Sequence, residues 1–101
     1  MLGLSFVPPA NGKISFMISE KEFKRIRWAS RRGMLELDLI MVPFVENCLL
    51  ELSDEDQQRY IDLLEAEDND LFAWFLGHAT PDDPDAAMIV RKIVEYLASK
   101  K

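Results

Sequence analysis

The chain predicts an all-α protein, a compact single-domain bundle of about five short helices with a flexible N-terminal leader. Apolar residues recur at intervals of three and four along most of its length. Cap and stop residues flank each of these runs. No segment shows sustained alternation or an Asn-Gly hairpin between apolar strands. With 101 residues, the chain has the length of one domain. Such a domain buries roughly 60–65% of its unfolded surface, enough for one core without staples.

Residues 1–18 are expected to form the leader and 19–101 the folded domain, because Pro8-Pro9 and Asn11-Gly12 break any period early in the chain. Met17 stands as an alternative start. The first helix opens at Ser19, with Glu22 three residues on in the capping-box arrangement, and runs through Phe23, Ile26 and Ala29 or Ser30 to a stop at Gly33. The second spans Met34 to Leu49. Its stripe of Leu37, Ile40, Met41, Phe44, Val45 and Cys48, widened by Leu39 and Val42, makes it the central helix, kinked or divided at Pro43. The third opens at Ser53 with Asp54, Glu55 and Asp56 in its first turn, the charge a helix N-terminus favours, and turns Tyr60, Ile61, Leu63 and Leu64 inward. Asp68-Asn69 ends it and caps a fourth, Asp70 to Leu76, almost wholly apolar and stopped by Gly77. Pro84, with Asp83 as cap, starts a fifth that carries Ala86, Ile89, Val90, Ile93 and Leu97 on one face.

Charge is unevenly spread. Residues 1–32 hold seven basic and two acidic side chains, a balance of +5, whereas residues 33–101 hold five and sixteen, a balance of −11. A mostly acidic body with one basic edge lacks the broad cationic face of a nucleic-acid binder. It suits docking on a protein of matching charge. One cysteine allows no disulfide and no thiolate cluster within the chain. No apolar run reaches the ~20 residues of a membrane span, and no signal or transit segment is recognisable. The expected location is the cytoplasm.

Most chemistry-bearing residues have structural readings. His78, the sole histidine, sits just past Gly77, where histidines meet helix-end carbonyls. Cys48 lies on an apolar stripe with nothing cationic beside it to lower its pKa. The two acidic clusters, at 54–56 and 82–85, lack the spacing of a calcium loop, and no metal site is expected. Trp28 reads first as a lid over the core, the alternative being a surface that stacks on a base or a flavin. Arg32-Gly33-x-x-Glu36-x-Asp38 divides more evenly. Glycine and carboxylates there satisfy a helix-to-helix turn, but two arginines beside a carboxylate and an indole exceed what a turn requires. Arginine forks bind carboxylates or phosphates bidentately.

The run Ile26-Arg27-Trp28-Ala29-Ser30-Arg31-Arg32-Gly33-Met34-Leu35-Glu36-Leu37-Asp38 resembles the signature of the SdhE-type FAD assembly factors. The likeness continues through Met41-x-Pro43-Phe44, Leu52-Ser53-Asp54, Leu63-Leu64-Glu65, Asp68-x-Asp70-Leu71-Phe72-x-Trp74 and Val90-Arg91, over roughly residues 22–97. The family hallmark Arg-Gly-x-x-Glu falls on Arg32, Gly33 and Glu36. The resemblance implies a non-enzymatic, helical assembly factor that docks on the flavoprotein subunit of succinate dehydrogenase. There it promotes autocatalytic covalent attachment of FAD, with the fumarate reductase flavoprotein as a second client. It implies partner-binding residues at Arg27, Trp28, Arg31, Arg32, Gly33, Glu36 and Asp38, and a free monomer. FAD belongs to the client, since the chain has no Gly-x-Gly-x-x-Gly loop for tight autonomous binding; a weak direct contact with FAD stays open. The alternative is a small regulatory protein, antitoxin-like or nucleic-acid-binding, acting through the basic first helix.

Overall fold

The computed structural model describes residues 18–99. All but the last residue of the expected leader, residues 1–17, lies outside that range. Five helices follow in order: α1 (Glu20–Ala29), α2 (Leu35–Cys48), α3 (Asp54–Leu63), α4 (Asp68–Phe75) and α5 (Pro84–Ser99). One 3₁₀ turn, Leu49–Glu51, extends α2. Among the described residues there is no strand.

Local chemistry sets most helix ends. At α1 the Glu22 N–H donates to Ser19 Oγ at 3.1 Å. Ile18 before that cap is buried and joins Phe23 in the core, which fixes the entry of the chain as a hydrophobic staple does. At α3 the Asp56 N–H donates to Ser53 Oγ at 3.1 Å, and at α5 the Ala86 N–H donates to Asp83 Oδ2 at 3.2 Å. The end of α4 is a Schellman motif. Gly77 has φ +81, its N–H bonds the Trp74 carbonyl, and the His78 N–H bonds the Ala73 carbonyl at 2.8 Å. His78 thus meets the helix end through its backbone, and its side chain is exposed.

Packing is arranged around α2, which lies against α1, α4 and α5, while α5 also lies against α3. Leu37, Met41, Phe44 and Val45 of α2 meet Tyr60 and Leu63, Leu71 and Phe75, and Ile89, Val90 and Ile93. Phe44 is the hub. Its ring lies 5.7 Å from that of Tyr60 and 5.6 Å, edge-on, from that of Tyr96, spacings at which aromatic pairs attract.

The structure corrects several sequence expectations. Gly33 does not stop α1; the helix ends at Ser30, whose Oγ also turns back onto the Ile26 carbonyl at 2.8 Å. Asp68 and Asn69 lie within α4 rather than ahead of it. Pro43 does not divide α2, which runs through it as one helix of 14 residues. Leu39 does not widen the buried stripe but is 63% exposed, since it stands on the helix face away from Leu37 and Met41. Buried Asp56 and Gln57 extend the inner face of α3 beyond its apolar residues. Gln57 is held there because its Nε2 donates to the Leu49 carbonyl at 3.0 Å. Asp56 Oδ1 takes Arg59 Nη1 at 2.8 Å, and its Oδ2 lies 3.2 Å from Lys92 Nζ on α5.

Candidate docking tip

The tip is the link between α1 and α2, and it is built from both helix ends. Ser30 is fully buried. Its Oγ and the Tyr60 hydroxyl share a hydrogen bond of 2.7 Å, which ties the end of α1 to the middle of α3. Burial raises the Tyr60 phenol well above its ordinary pKa, although Ser30 and the nearby charge of Arg32 pull the other way. The hydroxyl is therefore neutral.

Arg32 takes an inward path. Its backbone N–H donates to Asp38 Oδ1 at 2.7 Å, so the carboxylate in the first turn of α2 holds the link. Its guanidinium crosses to the α3–α4 turn. Nε donates to Asp68 Oδ1 at 2.8 Å, Nη1 to the Leu64 carbonyl at 3.1 Å and Nη2 to the Ala66 carbonyl at 2.8 Å. A longer contact of 3.3 Å joins Nη1 to the Ala29 carbonyl. The side chain is only 15% exposed. Gly33 follows with φ +82, a conformation that disfavours any residue with a Cβ, and a Cβ built there meets no atom within 4 Å. Glycine is needed for the backbone turn, and the space beyond it is open.

The expected site residues therefore divide. Trp28, Arg31, Gly33 and Glu36 are exposed. Arg32 and Asp38 face the protein's own turn, and the expectation of two exposed arginines holds only for Arg31. Arg27 is exposed but pairs across to Glu46 of α2, with Nε 2.6 Å from Oε2. Trp28 is no lid on the core. It stands 73% exposed on the opposite side of α1 from Ile26, with the Arg31 guanidinium 5.9 Å from its ring centre, a cation–π arrangement.

Two members escaped the sequence reading. Leu35 and Leu39 are 68% and 63% exposed. They lie four residues apart and so share one face of α2, with Glu36 beside it. The signal was available, because a stripe at 37, 41, 44 and 48 places 35 and 39 on the other side. Among the described residues no group of His, Cys, Asp or Glu is arranged to hold a metal ion, and no helix is long and apolar enough to cross a membrane. A groove of about 560 Å³ lies elsewhere, between the end of α4 and α5, lined by Trp74, Leu76, Met88 and Val94.

The tip lies within the span over which the chain matches a known family. The family model described as Flavinator of succinate dehydrogenase (Sdh5) matches residues 24–97. The chain belongs to this family. Among its relatives is the FAD assembly factor SdhE of Photobacterium profundum, 47% identical over 85 residues, which are 84% of this chain and 97% of the relative. The FAD assembly factor SdhE of Pseudomonas aeruginosa is 49% identical over 81 residues, 80% of this chain and 96% of the relative. That of Shewanella oneidensis is 55% identical over 69 residues, 68% and 84% of the two chains. These relatives are named as assembly factors, not as enzymes.

Proposed function

We propose that this protein is an assembly factor that docks through its α1–α2 tip on the flavoprotein subunit of succinate dehydrogenase and speeds that subunit's own covalent attachment of FAD. The observation that carries the reading is the exposed constellation of Trp28, Arg31, Gly33, Leu35, Glu36 and Leu39, lying inside the family match. Exposed apolar and charged groups on a rigid link suit recognition of another protein. The fumarate reductase flavoprotein is a second client on the same reading, and the factor acts in the cytoplasm as a monomer when free.

The division of labour follows from the residues present. Four N–H contacts of the Arg32 guanidinium are made within the chain, which leaves no fork for a pyrophosphate. Arg31 stands over Trp28 on an exposed helix end rather than in a cleft. These residues do not fit an autonomous flavin site, which supports FAD being held by the client. A docking factor need only favour the reactive arrangement of the client, since each ~1.4 kcal/mol is worth tenfold in rate. The tip residues bind and orient; no proton or group transfer is assigned to them.

The basic N-terminal segment, α1 with the link after it, carries the competing regulatory reading less well, because Arg27 is paired with Glu46 and Arg32 faces inward. The deciding experiment expresses the flavoprotein in cells lacking the factor and reads in-gel flavin fluorescence. Wild-type protein is expected to restore it, whereas Gly33→Arg stays helical and soluble but does not. Restoration by Gly33→Arg refutes docking through the tip.

A further inference from the structure

We infer that Arg32 is a positioning residue in docking, which holds the tip against the α3–α4 turn and does not itself pair with the client. The inference rests on the docking function proposed above and concerns which residues meet the partner. A guanidinium has five N–H donors, and bidentate recognition of a carboxylate or phosphate uses two in parallel. Those of Arg32 are directed to Asp68 Oδ1 and to the carbonyls of Leu64, Ala66 and Ala29. At most one N–H, on Nη2, remains. A fork onto a partner therefore requires breaking internal bonds that are already charge-assisted.

The acceptors explain the preference. Leu64 is the C-cap of α3 and Ala66 follows two residues on, so their carbonyls lie at the negative end of a helix, where a cation is favoured. Asp68 opens α4. One side chain thus satisfies carbonyls at the end of α3 and pairs with a carboxylate in the first turn of α4. The main chain of the same residue is held by Asp38 at the start of α2. Arg32 is the point where three helix termini meet, and the next residue is the left-handed Gly33. The direction in which Leu35, Glu36 and Leu39 leave the tip is set there.

Asp68 separates this role from direct contact, because the two make opposite predictions. If Arg32 positions the tip, Asp68→Ala loosens the clamp and weakens binding. If Arg32 contacts the client, Asp68→Ala frees the guanidinium, and binding is unchanged or tighter. Affinity for the purified flavoprotein subunit of succinate dehydrogenase is measured by calorimetry for wild type, Asp68→Ala, Arg32→Ala and the double variant. The expected result is a loss of about tenfold for Asp68→Ala, equivalent to ~1.4 kcal/mol, with the double variant no weaker than Arg32→Ala alone. Asp68→Asn, which keeps the Oδ1 acceptor, recovers most of the affinity.

Unchanged or tighter binding by Asp68→Ala, or additive losses in the double variant, overturns the proposal. Hydrogen exchange of the free chain, read by NMR at the Arg32 Nε–H that donates to Asp68 Oδ1, serves as the second measurement. Slow exchange at that Nε–H that becomes fast in Asp68→Ala supports the clamp without any client present; equal exchange in both proteins overturns it. Wild type that fails to bind the flavoprotein overturns the docking function itself, and the exchange result then still decides whether the clamp exists.

Discussion

Ser30 Oγ and the Tyr60 hydroxyl lie 2.7 Å apart in the fully buried interior, and this contact ties the end of α1 to the middle of α3. Ser30 also donates to the Ile26 carbonyl, so Tyr60 is the partner that depends on it. Ser30→Ala leaves a buried phenol unpaired and is expected to cost about 1–3 kcal/mol, whereas Tyr60→Phe, which removes the hydroxyl along with its need for a partner, costs about 1 kcal/mol. The double variant is expected to be no less stable than Ser30→Ala. Urea unfolding monitored by circular dichroism checks the order; equal costs for the two single variants contradict it.

At Gly33 the backbone and, on the proposed function, the partner make separate demands. Its φ of +82 strains any other residue, yet a Cβ there touches nothing. Gly33→Ala and Gly33→Arg are therefore expected to lose the same stability, roughly 1–2 kcal/mol. Client binding divides them: the alanine retains most of it and the arginine none. Thermal melts beside a binding titration test this, and a much larger loss of stability in the arginine variant speaks against open space at the tip.

On the proposed docking function, Leu35 and Leu39 serve the partner rather than the fold. Each is mostly exposed in the free chain, so Leu35→Ser and Leu39→Ser are expected to shift stability by no more than about 0.5 kcal/mol. Burial of a leucine against a client is worth about 1.5–3 kcal/mol. Each variant should consequently weaken the complex by about tenfold or more. Unaltered affinity in both variants removes this face of α2 from the interface.

Acid should loosen the α3–α5 contact. Burial pushes the Asp56 carboxyl up, but hydrogen bonds and charge from Arg59 and Lys92 outweigh it and hold the pKa below the ordinary 3.8. A depressed folded-state pKa contributes stability above the unfolded value, and that stability is lost as pH falls through the folded one. Asp56 therefore stabilises fully at neutral pH, and its contribution declines below about pH 4. Asp56→Asn is expected to be less stable than wild type at pH 7, with the gap closing between about pH 4 and pH 2. Urea midpoints across that range test it, and a constant gap counts against the mechanism.

Much of the fold was legible because its signals are local. Ser19, Ser53 and Asp83 cap helices by reaching residues three positions away, and Gly77 ends α4 through a motif contained in six residues. Spacing also identified the buried stripe of α2. The failures share a cause. Trp28 and Leu39 were misplaced because neither period nor composition says which face of a helix meets a neighbour. Asp56 is tolerated inside only because Arg59 and Lys92 from two helices converge on it.

Arg31 and Arg32 show the division most plainly. The helices, their order and their apolar faces were settled by spacing and capping, interactions that span three or four residues and need no knowledge of what lies opposite. Nothing in adjacent, identical side chains distinguishes outward from inward. The packed α3–α4 turn does, by offering Arg32 two carbonyls and a carboxylate 36 or fewer residues away while leaving Arg31 over an exposed indole. Long-range acceptors exist only once the bundle has closed, and they decide which charge the tip presents.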